Sequence, residues 1–202
     1  MRKVLSIALM KSAACLRRAS HIFPSRHLGG VIAALFLALT GFPSWAVGSN
    51  DDEPPTPSET TTTCDEGLIW DDATKNCVAL EDTSNDQASL YRNLRELAWA
   101  GRLADARRIL KQLPVSDETM TYQGFIARKS GDWPSAEAAY LAALAHNPDN
   151  LLARSYYGQG LANLGQMKAA RHQLSEIRAR GGRQSWPEIA FRLHLDGVQS
   201  GY

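Results

Sequence analysis

The sequence contains few cysteines and histidines, and it lacks the short motifs that carry most enzyme chemistry. Among its 202 residues there are three cysteines and five histidines. His146, His172 and His194 each fall on a different predicted element, and none has the spacing of a metal ligand. The patterns G-x-S-x-G and H-E-x-x-H and a phosphate-binding glycine loop do not occur. We therefore predict a protein that is not an enzyme and that needs no cofactor and no metal.

Net charge is also nearly absent, but the charges are distributed in three blocks. Residues 1–46 contain six Lys or Arg and no carboxylate, whereas residues 47–86 contain eleven carboxylates and one lysine. Residues 87–202 contain fifteen bases and ten acids. A basic head, an acidic middle and a mildly basic body indicate three segments with separate roles. Because the bases of the body form no run, nucleic acid is not an expected partner.

An apolar run near the N-terminus predicts export. Twelve uncharged residues, 31–42, follow the basic head, and Pro43-Ser44-Trp45-Ala46 ends with small residues in a small-x-small pattern. This order is typical of a general secretory signal peptide, residues 1–46, cleaved after Ala46. The run is shorter than the ~20 residues of a spanning helix, so we expect no stable membrane insertion after cleavage. The predicted location is the periplasm or the cell exterior, and an inner-membrane anchor that is not cleaved is the alternative.

Cleavage would leave two cysteines, Cys64 and Cys77, in the mature chain. Two thiols in an exported protein most simply form one disulfide, and Leu68-Ile69-Trp70 favours a strand. We predict a disulfide-closed β-hairpin over residues 64–78. It is preceded by an acidic tether rich in Pro and Thr, residues 47–63, that stays solvated, and it is followed by a linker, residues 79–86.

The same cysteine-framed segment has a local likeness. The pattern C-x-x-G-L-x-W-D-x-x-x-x-x-C resembles the hairpin half of the peritrophin-type chitin-binding domain, although four of that family's six cysteines are missing. The resemblance covers about fifteen residues. It implies that Trp70 stacks on a sugar, so a carbohydrate- or cell-wall-binding module is the alternative function.

Three glycines in the body begin a repeated pattern. Gly101, Gly131 and Gly165 are each followed by apolar residues at offsets of five, nine and twelve. The best copy predicts a helix over residues 117–129, a turn at Ser130-Gly131-Asp132, and a second helix with Pro134 in its first turn. The spacing from Gly131 to Gly165 matches the repeat length that is typical of stacked helix pairs. The first copy is four residues shorter, which is about one helical turn.

These residues are similar to the tetratricopeptide repeat (TPR) family, and with the leader the chain resembles an exported bacterial TPR protein. The likeness covers about residues 87–184 and is strongest at Gly124, Gly131, Ala136, Tyr140, Ala143 and Pro148. It implies an all-α, right-handed superhelix of antiparallel helix pairs. We expect this domain to extend over residues 87–196. A last helix, with a capping box between Ser185 and Glu188, would cover its end, and the tail 197–202 would be frayed.

The resemblance also implies which side chains face the concave groove. These are Tyr91, Arg95, Phe125, Arg128, Lys129, Gln159 and Asn163. Arginine and aromatic side chains suit an acidic or extended peptide, which favours a non-enzymatic interaction scaffold. Three alternatives stay open at this point. In the first, Phe125 belongs to the core and the bases are merely solvated. In the second, the acidic tether lies in the groove, and in the third, the protein associates with itself.

Overall fold

The computed structural model describes residues 53–197. The predicted signal peptide, residues 1–46, its cleavage site, the first residues of the tether and the tail 198–202 lie outside the described residues. Within residues 53–197, no helix has the length and apolarity needed to cross a membrane.

This part of the chain is mostly helical, as predicted. It begins with a short helix, α1 (Glu59–Thr62), and an antiparallel hairpin of β1 (Leu68–Asp71) and β2 (Asn76–Ala79), after which a 3-10 turn covers Leu80–Asp82. Seven helices then follow within the described residues. They are α2 (Gln87–Trp99), α3 (Leu103–Leu110), α4 (Asp117–Lys129), α5 (Trp133–His146), α6 (Leu151–Asn163), α7 (Met167–Ala179) and α8 (Trp186–Leu195).

The hairpin is closed by the predicted disulfide. Cys64 and Cys77 are bonded, with their Cα atoms 5.5 Å apart, and Trp70 pairs with Cys77 across the two strands. So short a hairpin would be marginal alone. The bond and the contacts that the hairpin makes with α2 and α3 therefore hold it.

The helix boundaries follow local signals in the sequence. Gly131 has a φ of 83°, a left-handed conformation that glycine adopts without strain, and it lies in the turn between α4 and α5. The Asp132 carboxylate accepts the backbone N–H of Ser135 and caps α5, and Pro134 lies in the first turn of that helix. The predicted helix over residues 117–129 is confirmed. The shorter first copy also appears as an eight-residue α3.

From α2 onward, helices contact their neighbours in the chain, and the first helix of each pair also contacts the next helix but one. Successive helices pair as α2 with α3, α4 with α5 and α6 with α7; in addition α2 contacts α4, α4 contacts α6 and α6 contacts α8. Gly124 lets Tyr140 approach, since a Cβ at Gly124 would lie 2.6 Å from the Tyr140 ring. In α6, Gly158 plays the same part for Phe191 of α8, where a Cβ would lie 2.1 Å from the ring. Helix α8 therefore packs directly on α6.

The predicted solvated tether differs from the structure from Ser58 onward. Ser58 caps α1, and its backbone N–H and its hydroxyl both donate to the Glu96 carboxylate. Thr60 is fully buried, donates from Oγ1 to Asn93 and accepts the backbone N–H of Trp70. Hydroxyl groups, not apolar ones, anchor this segment to α2 and to the hairpin. For that reason the low hydrophobicity of the segment did not reveal the contact.

Arg102 fastens the hairpin to the first helix pair. Its guanidinium donates to four backbone carbonyls and to the Asp105 carboxylate, which lies 2.7 Å from Nη2. The carbonyls belong to Thr60, Cys64, Asp65 and Leu68, at 2.7 to 3.0 Å. The Arg102 side chain is 12% exposed and that of Asp105 11%. A nearly buried ion pair thus joins α3 to two parts of the N-terminal region.

Asp71 organises the other end of the hairpin. One oxygen of its buried carboxylate accepts the backbone N–H groups of Ala73 and Thr74, and the other accepts the backbone N–H and the hydroxyl of Ser84. These hydrogen bonds favour the ionised form and hold the pKa of Asp71 far below its ordinary value. Asp71 therefore ties the hairpin turn to the segment that precedes α2.

The predicted capping box of the last helix is wrong. The Ser185 hydroxyl donates to the Gly182 carbonyl and does not cap α8. Glu188 is 7% exposed and accepts two hydrogen bonds from Arg178 of α7, at 2.6 and 2.9 Å. A charge-assisted pair between helices has replaced the local exchange. A capping box does occur at α4, where Ser116 and Thr119 satisfy each other's backbone N–H groups.

Candidate functional site

The last turns of three helices bring polar side chains together. Arg128 and Lys129 end α4, Asn163 ends α6, and His194 lies in the last turn of α8. His194 Nε2 lies 2.8 Å from Asn163 Oδ1. Bases in the last turn of a helix are stabilised by the negative end of its dipole. We call these four residues the inner-face cluster, and three of them belong to the predicted groove.

Arg128 is the centre of this cluster. Its guanidinium carbon lies 5.4 Å from the centroid of the Phe125 ring and 5.9 Å from that of Tyr156, within cation–π range. Its Nε donates to the Tyr140 hydroxyl at 3.4 Å, while Nη2 is buried without a hydrogen-bond partner among residues 53–197. The guanidinium is thus held by aromatic rings, and one of its donors stays unsatisfied in the interior.

Gly160 of α6 provides the space for the Arg128 side chain. A Cβ at Gly160 would lie 3.1 Å from Arg128 Cδ and 2.1 Å from the Trp133 ring. Any larger residue would displace both side chains. The sequence analysis did not identify Gly160, although a second glycine two residues after Gly158 in one helix was a signal for close approach.

Two predicted groove residues, Phe125 and Gln159, do not belong to the accessible surface. Phe125 has no exposed surface and packs in the core beside Tyr122 and Tyr156. Gln159 is buried, donates to the Ser155 hydroxyl at 3.2 Å, and has an Oε1 without a partner in the described chain. The Phe125 ring therefore packs against the cations of Arg128 and Lys129 and is not itself accessible to a ligand.

The bases of the cluster influence each other's protonation. Burial lowers the pKa of His194, and the positive charges of Arg128 and Lys129 lower it further. A hydrogen bond to the Gln159 backbone acts in the opposite direction and raises this pKa. Burial and the Arg128 charge likewise lower the pKa of Lys129. Positive charge is therefore crowded at this face. An anionic group placed there would relieve that crowding.

The two predicted groove residues of the first helix pair lie in a different environment. Arg95 is buried and donates from Nη2 to the Glu53 carbonyl at 2.6 Å and from Nε to the Tyr122 hydroxyl at 3.3 Å. The Tyr91 ring packs edge-on against Tyr122, with centroids 5.8 Å apart. Residue 53 thus lies against Arg95, and the predicted groove is divided between two places.

Trp70 borders a cleft beside that first pair. The cleft has a volume of about 330 Å³ and is lined by Trp70, Asp72, Arg92, Arg95 and the segment 53–60, among others. The Trp70 ring is half-buried, and Arg92 approaches the Asp72 carboxylate at 3.8 Å. An aromatic ring beside hydrogen-bonding groups is the pattern of a small polar ligand site.

A metal ion needs acidic, histidine or cysteine side chains in a particular arrangement. Within 53–197 no group of three or more His, Cys, Asp or Glu side chains is arranged to hold a metal ion. Comparison with protein-family models, curated proteins and solved structures finds no match for this chain.

Proposed function

We propose that this protein is a non-enzymatic interaction scaffold that binds a protein or peptide through the inner-face cluster. We further propose that α2–α8 form a TPR-like, right-handed superhelix of antiparallel pairs, with α8 covering the last pair. The contacts of α2 with α4, α4 with α6 and α6 with α8 support this arrangement. So do the left-handed glycines Gly101, Gly131 and Gly165 between paired helices.

The observation that carries the proposal is the crowding of positive charge at the inner-face cluster, where Arg128 and Lys129 both lower the pKa of His194. Lys129 and Asn163 are exposed there, and the Arg128 guanidinium is held against the Phe125 and Tyr156 rings. Carboxylate is the acceptor that guanidinium binds most strongly, which favours an acidic segment of the partner.

The proposed place of action is outside the cytoplasm, in the periplasm or beyond the cell. The Cys64–Cys77 bond supports this, because disulfides persist in oxidising compartments. Four residues accept hydrogen bonds from Arg102 through their carbonyls, and three of them lie between the two bonded cysteines or at one of them. The mature protein would therefore carry its scaffold and its hairpin as one unit.

Affinity capture from the envelope fraction of the source organism tests the scaffold proposal. The wild type is compared with Lys129→Glu and with Arg107→Glu, a matched charge reversal on α3. We expect the wild type and Arg107→Glu to retain the same proteins and Lys129→Glu to lose them. Identical sets of proteins on all three baits would refute binding through this face.

Carbohydrate binding is a second candidate because of the Trp70 cleft. The half-buried Trp70 ring and the polar groups of Asp72 and Arg92 line the same volume. Pull-down on insoluble chitin and on peptidoglycan would compare the wild type with Trp70→Ala and with Val115→Ala, a change at an exposed apolar residue of the body. Retention that only Trp70→Ala abolishes would support this candidate, and equal retention of the three proteins would exclude it.

A further inference from the structure

A cleft lies between α7 and α8, beside the C-terminal end of α8. Its volume is about 700 Å³. It is lined by Arg171, Leu174, Ser175, Arg178, Ala179, Arg183, Arg192, Leu195 and Asp196. We call it the arginine cleft. None of its residues belongs to the groove that the sequence predicted.

Positive charge exceeds negative charge in the arginine cleft. Four guanidinium groups line it, whereas one carboxylate, Asp196, lines it and a second, Glu188, lies beneath. Arg171 and Arg183 are exposed and form no salt bridge with any residue of the described chain. Two cations are therefore available to a partner at no cost in broken ion pairs.

One of the other two arginines, Arg178, is held in place by a buried carboxylate, Glu188. Glu188 lies 2.6 Å from Arg178 Nη2 and 4.0 Å from Arg192 Nε. The pair with Arg178 uses Nε and Nη2, so Nη1 stays outside it. The Arg178 guanidinium, fixed in this way, loses little conformational entropy when a ligand binds, whereas Arg192 is 44% exposed.

The floor of the cleft is apolar. Leu174 and Leu195 are half-buried there and pack against the buried cluster of Ile177 and Phe191. An apolar floor with a charged rim is the composition of a protein-binding surface, in which a buried side chain provides contact area and the rim provides orientation. A flat membrane surface would not reach such a floor.

We propose that the arginine cleft is a second docking site, which takes an acidic, amphipathic peptide segment of a protein partner. Its carboxylates pair with Arg171 and Arg183 at the rim, and an apolar side chain lies on Leu174 and Leu195. Charge complementarity selects the partner, since the cleft offers four guanidinium groups, and guanidinium binds carboxylate through paired hydrogen bonds. None of the four residues of the inner-face cluster lines this cleft.

Fluorescence anisotropy tests the proposal with a labelled synthetic peptide in which leucines are flanked by glutamates. A second peptide carries glutamine in place of each glutamate. The protein is the full chain, purified with its disulfide intact, as wild type, as Arg171→Glu with Arg183→Glu, and as Lys129→Glu. The matched control is Arg107→Glu with Lys111→Glu, an equal change of charge on and beside α3. Circular dichroism verifies that each variant is folded.

We expect the wild type to prefer the glutamate peptide and the cleft variant to bind it about tenfold or more weakly, a loss of roughly 1.4 kcal/mol. The control and Lys129→Glu should bind as the wild type does. Equal weakening in the cleft variant and the control would overturn the proposal, as would the absence of any preference for glutamate. Loss in Lys129→Glu alone would assign the peptide to the inner-face cluster, which overturns this inference and leaves the proposed function standing. Capture by phosphatidylglycerol vesicles without peptide binding would also overturn it.

Discussion

Replacing Arg102 by alanine should detach the disulfide hairpin from the first helix pair. Arg102 donates to the carbonyls of Thr60, Cys64, Asp65 and Leu68 and forms an ion pair with Asp105. The alanine variant would leave these acceptors, and above all the nearly buried Asp105 carboxylate, without their donor. The loss should appear in the free energy of unfolding and in the accessibility of the hairpin.

The magnitude follows from the burial of the pair. The two side chains are 12% and 11% exposed, so the pair resembles a buried one, for which loss of one partner costs about 3–5 kcal/mol. For a chain of this size that loss lowers Tm by roughly 10 °C. Arg102→Lys should lie between the wild type and the alanine variant, because a lysine keeps the charge beside Asp105 but cannot span four carbonyls.

Urea unfolding followed by circular dichroism measures the change, with Arg107→Ala as the control. Arg107 is exposed and its guanidinium contacts only the Ser130 hydroxyl among the hydrogen bonds of the described chain, so we expect a cost below about 0.5 kcal/mol. Limited proteolysis should cut Arg102→Ala first within residues 53–82. An alanine variant within about 1 kcal/mol of the control, with an unchanged cleavage pattern, would refute the role given to Arg102.

Three further predictions concern other parts of the molecule. Hydrogen bonds lower the folded-state pKa of Asp71, so its contribution to stability is present above its ordinary pKa of 3.8 and is lost as pH falls below that value. The urea midpoint should therefore fall less between neutral and acid pH in Asp71→Asn than in the wild type. An equal fall in the two proteins would contradict this. Gly158→Ala should lower stability by about 1–3 kcal/mol in spite of alanine's helix propensity, because the new Cβ meets the Phe191 ring, and Phe191→Leu should restore part of the loss in chemical unfolding. Lys129→Gln should raise the pKa of His194 in an NMR titration, since one of the nearby positive charges that lowers it is removed; an unchanged pKa would place Lys129 too far away to matter.

Local rules were sufficient where an element depends on its own residues. The bounds of α4 and the turn at Gly131 followed from a breaker, a left-handed glycine and the Asp132 cap, all within a few positions. The disulfide followed from the count of cysteines after the expected cleavage. The same rules failed at Glu188, because Arg178 of another helix competes for its carboxylate.

Contacts between distant residues were the part that the sequence could not supply. Thr60 bonds Asn93 and Ser58 bonds Glu96, over separations of 33 and 38 residues, and no local pattern marks those pairs. His194 joined the candidate site because α8 packs on α6 in the way that α6 packs on α4. The sequence analysis had predicted only that the last helix, α8, covers the end of the helical domain. Phe125 was placed on the correct helix, but its burial depends on the neighbouring Tyr156 ring.

Site-directed photo-crosslinking in living cells tests the central claim most directly, by comparing two exposed positions of the full-length protein. One photoreactive residue replaces Asn163 in the inner-face cluster, and the other replaces Leu141, which is half exposed on α5. The account predicts that position 163 forms a crosslink to a distinct partner protein, that position 141 does not, and that Lys129→Glu abolishes the crosslink. Crosslinks of equal yield from both positions, or a crosslink from position 163 that survives Lys129→Glu, would contradict it.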